Sequence, residues 1–171
     1  MRRRLTALGA LLAALMLVAA IPAAVGGSSK TIIRTQVLTG LPLAYTGTKA
    51  PIRGVNGGGV PWVIDFGRAE LSQGGWLELK VKGLVIDPND PTAIARGIAG
   101  TNPSATFRAL VSCLTASGST QNVLSDPFPA TTGLGAGNAE AELQLALPDP
   151  CIAPILFVTS AGGAWFASSG G

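Results

Sequence analysis

The chain has 171 residues, a formal net charge of +3 and no histidine. That absence removes Ser-His-Asp and Cys-His catalysis and the commonest general base. Three of its twelve basic residues are Arg2, Arg3 and Arg4, so residues 26–171 hold nine basic against nine acidic groups. A near-neutral remainder gives no electrostatic footprint for nucleic acid or anionic membrane, and neither is expected as a partner.

Residues 1–25 have the three parts of a secretory signal peptide: the arginine cluster, an apolar run from Leu5 to Ala20, and small residues onward from Ala19. Cleavage is expected somewhere between residues 20 and 26. A retained anchor fits less well, because the apolar stretch from Leu5 to Val25 barely reaches the length of roughly 20 residues that spans a bilayer and contains Pro22. Residues 26–171 then form a single domain of about 145 residues. The abundance of Gly and Pro and the scarcity of charge fit short strands joined by many turns. The Ala- and Gly-heavy usage is consistent with a bacterial source.

In chain order, Lys30–Leu38 reads as a β-branched strand, followed by a long connection, Leu41–Gly59, that ends in a glycine-rich run. Trp62–Ser72 and Trp76–Ile86 form the clearest hairpin, closed by Gln73-Gly74-Gly75 with a glycine in the positive-φ position. This register places Leu71 opposite Leu77 and Ala69 opposite Leu79 on a buried face. Arg68, Glu70, Glu78, Lys80 and Lys82 share the wet face. Glu70 falls opposite Glu78, and diagonal pairs Glu70–Lys80 and Arg68–Glu78 are expected to offset that contact.

Asp87–Ser104 is a polar connection with room for one helical turn at Ala93–Arg96. Phe107–Thr115 and Gln121–Phe128 make a second hairpin, and Thr131–Asn138 is a glycine-rich loop. Ala139–Leu147 alternates, with Leu143, Leu145 and Leu147 against Glu140, Glu142 and Gln144. Cys151–Thr159 is apolar on both faces, as in a central strand, and Ala164–Ser168 closes the chain. About eight strands at this spacing predict an all-β, antiparallel single-domain β-sandwich, with a small β-barrel as the alternative. Cys113 and Cys151, the only cysteines, are expected to form one disulfide between core strands.

No motif names an activity. Gly133-Leu134-Gly135-Ala136-Gly137 is followed by Asn138 and lacks a βαβ unit, so no dinucleotide is expected. Gly54–Gly59 lacks the lysine and helix of a phosphate loop and reads as a turn. Asp87, Asn89 and Asp90 precede Pro91 and read as a turn, not a calcium loop. No cofactor and no metal are expected. The pairs Glu140/Glu142 and Glu70/Glu78 are the only chemistry available to a two-carboxylate hydrolase. Trp76 shares the charged face with Glu78 and Lys80, where an aromatic either lies under another segment or stacks on a sugar ring or partner protein. Trp62 and Trp165 read as core.

The segments Arg53–Trp62, Gly100–Pro103 with Phe107-Arg108, Val111-Ser112-Cys113 and Pro150–Pro154 through Trp165-Phe166-Ala167 resemble a group of small exported bacterial proteins of unassigned function. The resemblance implies export and one domain and carries no activity. The expected role is therefore a secreted, non-catalytic β-sandwich. It would bind an envelope or extracellular ligand, glycan or protein, through Trp76, Glu78 and Lys80. The alternatives are a secreted two-carboxylate polysaccharide hydrolase and a structural envelope component.

Overall fold

A computed structural model describes residues 30–170; the expected signal peptide lies outside the described residues. The elements are β1 (Thr31–Thr35), β2 (Thr39–Gly40), β3 (Trp62–Val63), β4 (Phe66–Ser72), β5 (Trp76–Lys82) and β6 (Val85–Ile86), then the short helix α1 (Pro91–Ala95). After it come β7 (Thr101–Asn102), β8 (Thr106–Leu114), β9 (Thr120–Leu124), β10 (Phe128–Pro129), β11 (Gly133–Leu134), β12 (Ala139–Gln144), β13 (Ile152–Thr159) and β14 (Trp165–Ser168). Two sheets carry the fold. The first runs β1-β4-β5-β12, and the second runs β10-β8-β13-β14-β2 with β9 also on β8; every pairing is antiparallel. Neither sheet closes on itself, so the barrel alternative is excluded.

The β4–β5 register is the predicted one, with Leu71 opposite Leu77, Ala69 opposite Leu79 and Glu70 opposite Glu78. Its loop works because Gly75 takes φ +87°, which costs glycine little. The Ser72 hydroxyl also receives the Trp76 N–H at 3.0 Å. Leu71 and Leu77 are fully buried and face Val111, Leu156 and Val158 in one hydrophobic cluster shared by both sheets. Sequence alternation therefore becomes burial directly, which is the main stabilising term of a sandwich.

Among the described residues, fourteen strands replace the eight or so expected, because several long runs are broken. Trp62–Ser72 breaks at Ile64-Asp65, and Trp76–Ile86 breaks at Gly83-Leu84. Gly83 has φ +62° and donates its N–H to the Asn138 side chain at 3.0 Å. The two chain ends then pair again as β3 and β6, away from the first sheet. Gln121–Phe128 breaks at Ser125, whose hydroxyl accepts the Ala109 N–H at 2.9 Å, before Pro127 removes a donor. The Thr131–Asn138 loop contains β11, paired to β7. The single helical turn sits a little earlier than predicted. Asp90 caps it by accepting the Ala93 N–H at 2.8 Å, and Pro91 opens it.

Cys113 and Cys151 form a disulfide with Cα atoms 5.0 Å apart, between β8 and the residue preceding β13. The Gly54–Gly59 run is a packed turn. Gly57 donates to the Gly47 carbonyl and Gly58 to the Trp165 carbonyl, leaving those amides unable to cradle an anion. A Cβ at Gly57 would collide with the Tyr45 carbonyl. Among the described residues, no helix is long and apolar enough to cross a membrane.

Candidate functional site

The outer face of the first sheet collects the polar residues that alternation assigned to it. Cross-strand pairing lines up Arg34, Glu70, Glu78 and Glu142 in one row, and Arg68, Lys80 and Glu140 in the next. Directly opposed side chains have Cβ atoms about 5 Å apart. The rows line a shallow concavity of about 470 Å³.

The two ion pairs on this face differ from those expected. Glu70 pairs with Arg34 at 2.5 Å, and Lys80 pairs with Glu140. Both partners belong to the flanking strands β1 and β12 and stand directly opposite, so they reach the charge before any diagonal neighbour on β4 or β5. The Arg34 hydrogen bond holds the Glu70 carboxyl below its ordinary range, and Lys80 does the same to Glu140. Both carboxyls are exposed to water, so their attraction is screened. Glu78 and Glu142 have no ion-pair partner within 4.0 Å among the described residues.

These shifts set the sign of a pH response. Glu70 and Glu140 titrate below their unfolded values, so their contribution is complete above the ordinary carboxylate range and is lost as pH falls through their lowered values. Urea midpoints measured across the acid range should therefore fall less steeply for Glu70→Gln than for wild type, with the two curves converging at low pH. Parallel curves would show that the Arg34 pair contributes nothing to folding.

Trp76 stands at the margin of this face and is 45 % exposed. No segment covers it. It lies directly opposite Gln144 on β12, whose amide donates to the Gly74 carbonyl at 2.6 Å. Glu78 is exposed one row away, and Lys80 is half-buried in the row beyond. The three predicted contact residues thus share one rigid strand and one face, with Trp76 outside the lining of the concavity itself. Trp62 and Trp165 are buried, as expected.

Glu70 and Glu78 are directly opposed on an open sheet face. Among the described residues, no group of three or more His, Cys, Asp or Glu side chains is placed to hold a metal ion. Asp87 and Asp90 accept the Asn89 and Ala93 amides. An aromatic beside fixed amide and carboxylate acceptors suits stacking and hydrogen bonding to a flat polar ligand. No family model, no curated protein and no solved structure matches this chain.

Proposed function

We propose that this is an exported, non-catalytic β-sandwich that binds an envelope or extracellular glycan on the outer face of its first sheet. The observation that carries the reading is Trp76, held by a hydrogen-bonded hairpin on a polar face with nearly half its surface in water. Leaving a large aromatic there forgoes its burial, and a sugar ring would recover it. The disulfide and the signal-like N-terminus support export. Gln144, Glu78 and Glu142 supply hydroxyl-directed acceptors beside the ring.

Sedimentation with insoluble cell-wall and polysaccharide fractions tests this. Wild type should sediment and Trp76→Ala should stay in solution, while the variant's stability changes by no more than about 0.5 kcal/mol, as for an exposed residue. If wild type stays in solution with every fraction, the glycan reading fails and the same face is to be tested against envelope proteins.

A further inference from the structure

The outer face of the first sheet carries a second exposed aromatic. Phe66 opens β4 and stands directly opposite Lys82, the last residue of β5. Alternation puts it on the same face as Arg68 and Glu70, and it is 39 % exposed. Trp76 opens β5 six residues before Lys82, so the two aromatics are about 20 Å apart along the strand direction. They flank the shallow concavity, whose lining includes neither of them. One sugar ring is too short to touch both, whereas a chain of several sugars reaches from one to the other.

Between the two aromatics the charges sort by row. Trp76 and Gln144 are followed by Glu78 and Glu142, then by Arg68, Lys80 and Glu140, and last by Phe66 and Lys82. Glu70 and Glu140 are taken by Arg34 and Lys80. The charges left over segregate. Two carboxylates, Glu78 and Glu142, lie toward Trp76, and two cations, Arg68 and Lys82, lie toward Phe66. Arg68 lines the concavity, and both cations are exposed. Neither makes an ion pair among the described residues. Asp65, beside Phe66 in sequence, instead lies over Gly83, where its carboxylate occupies the space a Cβ would need.

An exposed guanidinium and ammonium without carboxylate partners offer charge-assisted hydrogen bonds to an acid group. At the other end, Glu78 and Glu142 accept hydroxyls from a neutral sugar stacked on Trp76 and repel an acidic one. We propose that this face holds an extended acidic polysaccharide along β4 and β5, with a neutral sugar on Trp76, an acid-bearing sugar on Phe66, and its anionic group on Arg68 and Lys82. The inference rests on the glycan reading and adds to it the length, the charge and the direction of the chain.

Calorimetric titration separates the outcomes. The probes are a hyaluronan hexasaccharide, in which uronate and neutral N-acetylated sugars alternate, its carboxyl-reduced neutral form, a sulfated derivative of that neutral form, and the hyaluronan disaccharide. The acidic hexasaccharide should bind about tenfold or more tightly than the neutral form and than the disaccharide. Arg68→Gln combined with Lys82→Gln should erase the first preference. Phe66→Ala should erase the second, and so should Phe66→Leu, which keeps the corner filled without an aromatic ring. Unchanged Leu77 and Leu79 methyl signals in NMR spectra report an intact sheet in each variant. Either anionic form binding ahead of the neutral one supports the inference, and their ratio tells carboxylate from sulfate. If acidic and neutral hexasaccharides bind equally and both need Trp76, the glycan reading stands and this inference is overturned. A preference for acid that survives the double glutamine variant also overturns it, and no binding of any hexasaccharide overturns both.

Discussion

Replacing Cys113 and Cys151 together by alanine should lower folding stability by about 4 kcal/mol, the chain-entropy value for a closed loop of this span, the two cysteines being 38 residues apart. The local structure adds a reason for the bond to matter. β13 pairs with β8 through Ile152–Leu114 and resumes only at Ile155–Ser112, because Ala153, at φ +45°, and Pro154 interrupt the ladder. Ile152 and Ala153 are exposed, so this end of the strand has little burial to hold it. The disulfide fastens that weak end to Cys113, which is fully buried in the middle of the sheet. Against a total of roughly 5–15 kcal/mol for a domain, such a loss leaves the variant marginal. Urea unfolding of the oxidised protein and the double variant measures it directly. Amide exchange should quicken first at Ile152 and Ile155 and last at Phe157–Thr159. Equal midpoints would mean that residual structure in the unfolded chain already supplies the constraint.

What the sequence disclosed and what it hid divide along a physical line. The β4–β5 hairpin was legible because a period-two pattern and a three-residue loop leave one register that buries Leu71, Leu77 and Leu79 together. Its outward face followed automatically, which is why Trp76, Glu78 and Lys80 could be placed beside each other. The ion partners of that face were not legible. They depend on β1 and β12 being the neighbours, a fact of topology that no local pattern contains. The corners at Ile64-Asp65 and Gly83-Leu84 were hidden for a related reason. Val85 and Ile86 continue the apolar run, and the chain turns where Gly83 takes φ +62° and donates its N–H to the Asn138 side chain, 55 positions away. Pairs of two residues such as β7 and β11 are too short to show any period. Three buried polar atoms without a hydrogen-bond partner among the described residues, Arg108 Nε, Ser112 Oγ and Trp165 Nε1, belong to residues that sequence alone treats as an ordinary strand residue, a small polar residue and a core aromatic.

Phe166→Ala should cost about 3–5 kcal/mol, the range for deleting a buried phenylalanine. The reason lies in the register of the last strand. Val158 faces Ala167 and Thr159 faces Trp165, so Phe166 is the extra residue of a bulge. Alternation sends the neighbouring aromatics to opposite sides of the sheet, and the bulge shifts which of them faces inward. Trp165 turns outward against Phe157 and Tyr45, its ring 6.1 Å from that of Tyr45. Phe166 turns inward, stacked 3.9 Å from Trp62 and edge-on to Phe107 at 6.1 Å. Trp62 belongs to β3, outside both main sheets, so the stacked pair is one of the contacts that join the β3–β6 corner to the core, beside the buried Leu84 and Ile86. Its removal leaves a cavity lined by the Trp62 and Phe107 rings and by backbone at Gly58, which packs close against the Phe166 ring. Collapse is therefore restricted and the cost should approach the upper figure. Phe166→Leu should cost less, and Trp62→Ala combined with Phe166→Ala should cost less than the sum of the two, because the second change removes a contact already lost. Thermal or urea unfolding of wild type, Phe166→Ala, Phe166→Leu, Trp62→Ala and the double variant checks both statements. Strict additivity would show that the stacked pair carries no coupling of its own. A loss below about 1 kcal/mol for Phe166→Ala would show that the corner can repack without it.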